Sequence, residues 1–231
     1  MPVTVEREFQ PNYFTPQDFV YYDAEAGQAY SHDGLRMIMV GEEMILSLQQ
    51  ALEEFAGDTS ALILYQIGFD WGERHYKNTE KFILENYRLH KSIQEMPLSG
   101  YAFLCDRGQM ASGWGRFFLV EEYGQVFVNL YYSCYAMTVG QIGRPACHIY
   151  AGIYAGIFSG ASAMALACIE IICYSMGADY CRFLLGSQEA IDATSFWVES
   201  GMTYESILEN IRDRLPEPAI SAESPVASLR Q

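Results

Sequence analysis

Basic residues are scarce in this chain. Its 14 Lys and Arg stand against 29 Asp and Glu, a formal charge of −15 over 231 residues. No cluster of Lys and Arg makes a local exception. Such a surface repels a phosphate backbone, because nucleic-acid binders present basic patches. It disfavours anionic membrane surfaces for the same reason. An apolar leader is also missing. Met1-Pro2-Val3-Thr4-Val5-Glu6-Arg7-Glu8 holds no hydrophobic run, so no export is expected and a cytoplasmic location is. Six cysteines are too few for a secreted disulfide scaffold; in a reducing compartment they read as thiols or metal ligands. No GxGxxG follows a predicted strand and no GxxxxGK[ST] is present, so a bound dinucleotide or an ATP-driven step has no motif to rest on.

What the chain has is apolar and aromatic surface. Half of its residues are hydrophobic and 14% are aromatic, with 17 Tyr and 13 Phe. Tyrosine suits pockets, since its ring is apolar and its hydroxyl hydrogen-bonds. Ordinary core and surface positions account for most of them. From Ala146 to Ile169 the only ionisable residues are His148 and two cysteines, a run long enough to cross a bilayer. Gly152, Gly156 and Gly160 interrupt it, and Arg144 is its only basic flank. It reads better as a buried helix running into a buried strand.

Short strands are expected at Val20–Tyr22 and Ala29–Tyr30, with another at Leu35–Val40. Met44, Leu46, Leu48, Leu52 and Phe55 recur at helical spacing until Gly57-Asp58. A second helix is expected over 60–82, with Gly68 and Gly72 as a face for close helix contact, and a third over 83–95, stopped by Pro97. Strands over 110–121 and 125–136 flank Glu122-Tyr123-Gly124, a hairpin signal. A glycine-rich helix over 146–162, a strand over 164–174, a turn at Gly177, a strand over 180–185 and a helix capped by Ser187 follow. Helices and antiparallel hairpins segregate, which predicts an α+β fold, an antiparallel sheet with helices packed on it. The expected organisation is an N-terminal extension over 1–57, a ligand-binding domain over 58–200 and a Pro/Ser/Glu-rich disordered tail over 215–231.

Cys173 and Cys181 lie four residues either side of Gly177, so a hairpin centred there sets them opposite each other. Two thiolates at that separation can share one ion, and Cys147 at the start of a helix can supply a third. Glu170 lies three residues before Cys173, and strict alternation puts it on the other face unless a bulge intervenes. Cys168 shares the face of Glu170 and reads as core. On spacing alone, core thiols and a Cys173–Cys181 disulfide compete with a metal site.

Two regions resemble known groups. Gly34-Leu35-Arg36-Met37-Ile38-Met39 and Gln66-Ile67-Gly68-Phe69-Asp70-Trp71-Gly72 look like the effector-sensing part of phenol- and xylene-responsive bacterial activators. Pro145-Ala146-Cys147, Gly152, Glu170-Ile171-Ile172-Cys173 and Gly177-Ala178-Asp179-Tyr180-Cys181-Arg182-Phe183 resemble the 4-vinyl reductase domain family. That family shares its fold with nitric-oxide-signalling and Golgi-transport (vesicle-tethering) proteins. The resemblance implies a structural zinc on Cys147, Glu170, Cys173 and Cys181, which form a closed tetrahedral shell. It implies a homodimer through the N-terminal part. Aligning Gly115-Arg116-Phe117 puts Tyr123 where the sensors carry an indole, and Leu89-His90 resembles the surroundings of their histidine contact. Tyr150, Tyr154 and Phe158, on one helical face, and Trp114 complete the expected ligand wall.

Three functions follow as expectations. The first is a zinc-stabilised sensor or carrier for an apolar aromatic or tetrapyrrole-type ligand, acting through a protein partner. The second is an adaptor or assembly scaffold without a small ligand. The third is a vinyl reductase acting on a porphyrin side chain, the least expected, because no hydride-donor motif is present and a closed zinc shell leaves no open position.

Overall fold

The computed structural model describes residues 19–31, 34–87, 92–216 and 220–222. A four-stranded antiparallel sheet forms its centre, in the order β4-β5-β7-β6. Strands β4 (Arg116–Glu122) and β5 (Gln125–Tyr131) make one hairpin; β6 (Ala167–Ile172) and β7 (Cys181–Gly186) make the other. Pairing of β5 with β7 joins them, with Leu130 opposite Cys181 and Val128 opposite Phe183. Alternation sorts the side chains. Val126, Val128, Leu130, Phe183 and Leu185 enter the larger core, while Phe127, Ala167, Ile171 and Leu184 enter a smaller one on the other face.

Helix α5 (His148–Ser162) lies on the larger-core face. It is apolar on every side and almost wholly buried, as a helix at the centre of a domain must be. Its outer side packs on α2 (Thr59–Tyr87). The contact is made by glycine on both helices. A Cβ on Gly68 or Gly72 would strike the carbonyl oxygens of Ile149 or Ile153, and one on Gly152 or Gly156 those of Tyr65 or Phe69. One turn further, Gly160 leaves room for the ring of Tyr76. The glycines that break the apolar run thus set the distance between two backbones. Among the described residues, no helix is long and apolar enough to cross a membrane.

Helices α6 (Gln188–Glu199) and α7 (Tyr204–Arg214) cover the other face through Ile191, Trp197, Ile207 and Ile211. Arg182 is buried there. It pairs with Glu122, donates to the Tyr204 hydroxyl at 2.9 Å and lies 4.1 Å over the Phe127 ring. Helix α3 (Leu98–Ala111) flanks β4, and Asp106 ties the two together. Its carboxylate accepts from Arg116 Nε at 3.0 Å and from the Phe117 amide at 2.9 Å. Gly115 before them has φ +100°, and a Cβ there would press on the Tyr131 and Tyr132 carbonyls at 2.6 and 2.7 Å. The N-terminal part is a small sheet, β1 (Val20–Asp23), β2 (Gln28–Ser31) and β3 (Arg36–Met37), followed by α1 (Glu42–Ala56).

The α+β class and the two hairpins match the expectation; several elements differ from it. The strand expected over 35–40 is reduced to Arg36–Met37. The helix expected over 83–95 is the end of α2 to Tyr87 and then a 3-10 turn, Ile93–Glu95. Helix α2 runs on because its buried row continues through Tyr76, Thr79 and Ile83, with no Gly or Pro to stop it. Residues 110–115 are not strand but the end of α3 and a turn, and Cys134–Val139 is a short helix, α4, capped by Ser133. Two helices were not foreseen. Pro97, Gly100 and Gly108 mask α3, although Leu98, Tyr101, Ala102, Cys105 and Asp106 form one buried stripe. Helix α7 is short and polar, held by Ile207 and Ile211. Packed structure therefore extends past residue 200. The expected disordered tail is also corrected at 220–222: Ile220 and Ala222 are buried, Ser99 N donates to Ala222 O at 2.9 Å, and Ser221 Oγ donates to Glu121 at 2.9 Å.

The glycines make opposite predictions. Gly152→Ala should destabilise by about 2–3 kcal/mol, because neither helix backbone can yield. Gly100→Ala, where a Cβ meets only the end of Met96 at 3.8 Å, should stabilise by about 0.5–1 kcal/mol. Urea denaturation at constant m-value reads both.

Candidate functional site

The turn of the β6–β7 hairpin carries two of the four expected metal ligands. Ile172 pairs with Arg182, so Cys173 and Cys181 face each other one step further on, and their sulfur atoms lie 3.4 Å apart. The register slips between Glu170 and Ile172. That bulge puts Glu170 on the same face as Cys173, the condition its spacing demanded. Cys147, at the N-cap of α5, completes the set, with its sulfur 3.9 Å from Cys173 and 3.7 Å from Cys181. One donor atom from each of the four residues falls within 4.8 Å of the others, and all four residues are buried. The cysteines are free thiols, so a Cys173–Cys181 disulfide is not formed.

Glu170 does two things at once. Its Oε2 accepts from the amides of Ala146 and Cys147 at 2.9 and 2.8 Å, which supplies an anion at the start of an otherwise uncapped helix. Its Oε1 is buried without a hydrogen-bond partner. Burial pushes the Glu170 carboxyl and the Cys147 thiol well above their usual ranges. Cys173 moves the other way, since the thiols of Cys147 and Cys181 hydrogen-bond to its sulfur.

The surrounding shell was not read from the sequence. Ser133 Oγ lies 3.5 Å from the Cys147 sulfur, and Ser175 Oγ donates to Arg144 O at 2.6 Å. The amides of Ile142 and Gly143 donate to Ser175 O. From α1, Gln49 donates to Ala146 O at 3.2 Å and Glu53 pairs with Arg144 at 2.8 Å. Gln49 is 1% exposed. A buried glutamine on an otherwise amphipathic helix was the available signal. Cys168 lies in the core, as expected.

The expected ligand residues divide. Trp114, Tyr150, Tyr154 and Phe158 come together as an aromatic wall. Trp114 meets Tyr150 at 5.6 Å between ring centroids, Tyr150 meets Tyr154 at 6.2 Å, and Phe117 joins Tyr154 at 5.0 Å and Phe158 at 6.4 Å. Trp71 of α2 packs on Trp114 at 4.9 Å. Both tyrosine hydroxyls are satisfied internally. Tyr150 donates to Trp114 O at 2.7 Å, and Tyr154 accepts from Gln109 Nε2 at 3.2 Å. Tyr123 is elsewhere. It sits 45% exposed in the β4–β5 turn, a full strand length, roughly 20 Å, from Trp114. The hairpin signal that located it also carries it away from the wall. His90 lies outside the described residues.

These features define an α+β domain with a buried Cys3Glu cluster beside an aromatic wall. Residues 126–187, from β5 through β7, match the family model of the 4-vinyl reductase domain. The fold is shared with the crystal structure of the phenol-responsive sensory domain of the transcription activator PoxR with phenol, at a TM-score of 0.59 and 15% identity, over 85% of this chain and 93% of that one. A vinyl-4-reductase family protein from Methanocaldococcus jannaschii is a more distant likeness, at a TM-score of 0.31 and 14% identity, over 64% of this chain and 98% of that one. No curated protein matches the chain.

The α1 contact is testable. Gln49→Leu leaves Ala146 O without its donor and should cost about 1–3 kcal/mol. Faster amide exchange along α1 and a lower denaturation midpoint would report it.

Proposed function

We propose that this chain is a small-molecule binding module, a sensor or carrier, clipped by a structural zinc ion and acting through a protein partner. The observation that carries the metal reading is the buried Cys147–Glu170–Cys173–Cys181 cluster. Tetrahedral zinc with Zn–S bonds near 2.3 Å sets its sulfurs about 3.8 Å apart, and the three separations here are 3.4, 3.7 and 3.9 Å. The unpartnered Glu170 Oε1 is an oxygen donor at the remaining vertex. Three soft thiolates with one carboxylate suit zinc better than a hard cation. Zinc bound there supplies no chemistry of its own; it fixes the start of α5 to the β6–β7 hairpin.

The ligand reading rests on the aromatic wall, the match to the 4-vinyl reductase domain and the fold shared with a phenol-responsive domain. An apolar aromatic molecule, or a tetrapyrrole, is the class that such a wall receives. A homodimer is part of the proposal. Ile38, Met39, Met44, Leu48, Phe55 and Leu62 are all exposed on the N-terminal strands and helices, more apolar surface than a monomer usually shows. The chain is placed in the cytoplasm, where free thiols persist. A second reading, an adaptor without a small ligand, is favoured by the rings of the wall packing on one another with their hydroxyls satisfied.

Protein purified without chelator should contain about one zinc per chain. Stripping it should lower Tm by about 10 °C, the shift for a metal held near a thousand-fold above its Kd, and added zinc should restore it. Cys173→Ser should lose the metal and the same stability. Folded, metal-free protein from such a preparation would end the zinc reading. Thermal shifts with aromatic and tetrapyrrole panels separate the module from the adaptor, and light scattering should give twice the 26.1 kDa chain mass.

A further inference from the structure

The hydroxyls of Tyr150 and Tyr154 are engaged inside the fold, so they are poorly placed to receive a ligand. Two other tyrosines differ. Tyr76 of α2 is 6% exposed and Tyr101 of α3 is 0% exposed, and both hydroxyl oxygens are buried without a hydrogen-bond partner. Glu80, Ser92 and Gln94 stand near the Tyr76 hydroxyl and the Cys105 thiol near that of Tyr101, none in hydrogen-bonding geometry. The two rings meet edge to face at 6.1 Å between centroids. They belong to the same core as Phe117, Tyr154 and Phe158. The Tyr76 ring lies on Gly160, two residues past Phe158 on α5. An orphaned buried hydroxyl costs about 1–3 kcal/mol, and here two are orphaned side by side.

We infer that Tyr76 and Tyr101 are the polar anchor of the ligand site, and that together they recognise the single oxygen of a neutral, otherwise apolar molecule such as a phenol. The inference rests on the small-molecule reading above and names the group that is recognised. Ile83, Ile93 and Leu98, all buried in the same core, supply apolar surroundings. The neutrality follows from Glu80. Its carboxylate accepts from Ser92 Oγ at 2.9 Å and lies close enough to Tyr76 to act on it, so an anionic ligand would be repelled. Burial pushes Tyr76 up to about 12 and Tyr101 well above the usual tyrosine range, which leaves both hydroxyls protonated and able to donate at neutral pH. Placement explains why the sequence did not mark them. Tyr76 continues the four-residue row of Gly68 and Gly72, and Tyr101 lies on a helix that its glycines disguise.

The test uses zinc-loaded full-length protein and three probes: phenol, toluene as its analogue without oxygen, and benzoate as its anionic counterpart. Calorimetric titration of wild type should show phenol bound more tightly than toluene, and benzoate not bound. Tyr76→Phe and Tyr101→Phe should each weaken phenol about tenfold and leave toluene unchanged. Both variants should keep or raise Tm, because each removes a buried orphan. Variants that bind phenol as wild type does would overturn the inference while leaving the binding module intact. Wild type that binds neither phenol nor toluene would overturn the module reading and the anchor with it. Should either variant fail to fold, the tyrosine Cζ resonances of labelled wild type decide the matter. Two buried signals should shift with phenol and stay in place with toluene; no shift with phenol counts against the anchor.

Discussion

The start of α5 is the constraint on which the rest of the molecule depends. A helix buried on all sides cannot be positioned by amphipathicity, since no face prefers the core. Its position is set instead by polar contacts at its first residue and by backbone contacts along its length. Glu170 reaches from the sheet to the amides of Ala146 and Cys147, and the three thiols gather around the same point. The glycines of α2 and α5 then allow only one separation. Once α5 is placed, the aromatic wall on its inner face is placed against β4 and β7.

The cluster is connected outwards as well as inwards. Ala146 donates to Glu170 and accepts from Gln49, so one residue links the sheet to α1. Arg144, two residues earlier, pairs with Glu53 of the same helix. The N-terminal helix, with its exposed Met44, Leu48 and Phe55, is thereby fastened to the loop that carries Cys147. A change in the geometry of the cluster has a short physical route to that surface.

Some of this was legible in the residues. The symmetry of Cys173 and Cys181 about Gly177 fixed their pairing, because a tight hairpin leaves little freedom of register. The bulge that Glu170 required is present. Gly68 and Gly72 read correctly as a close-contact face, and Ser187 as a cap, accepting from the Ala190 amide at 3.3 Å. Helix α3 was not legible. Its proline and two glycines outweighed a clean buried stripe, since propensity is local and the partner of the stripe, β4, lies elsewhere in the sequence. Tyr123 was placed in the turn correctly, but no pattern told how far that turn lies from Trp114.

The sequence by itself determined the α+β class, the second hairpin and the chemistry of the four donors, because strand alternation and turn geometry act over a few residues. Tertiary structure alone decided which tyrosine hydroxyls are spent and which are not. That distinction depends on Trp114 O meeting Tyr150 from 36 residues away and on Gln109 meeting Tyr154 from 45. A hydroxyl's partner is a matter of three-dimensional contact, and residue type and spacing do not encode it.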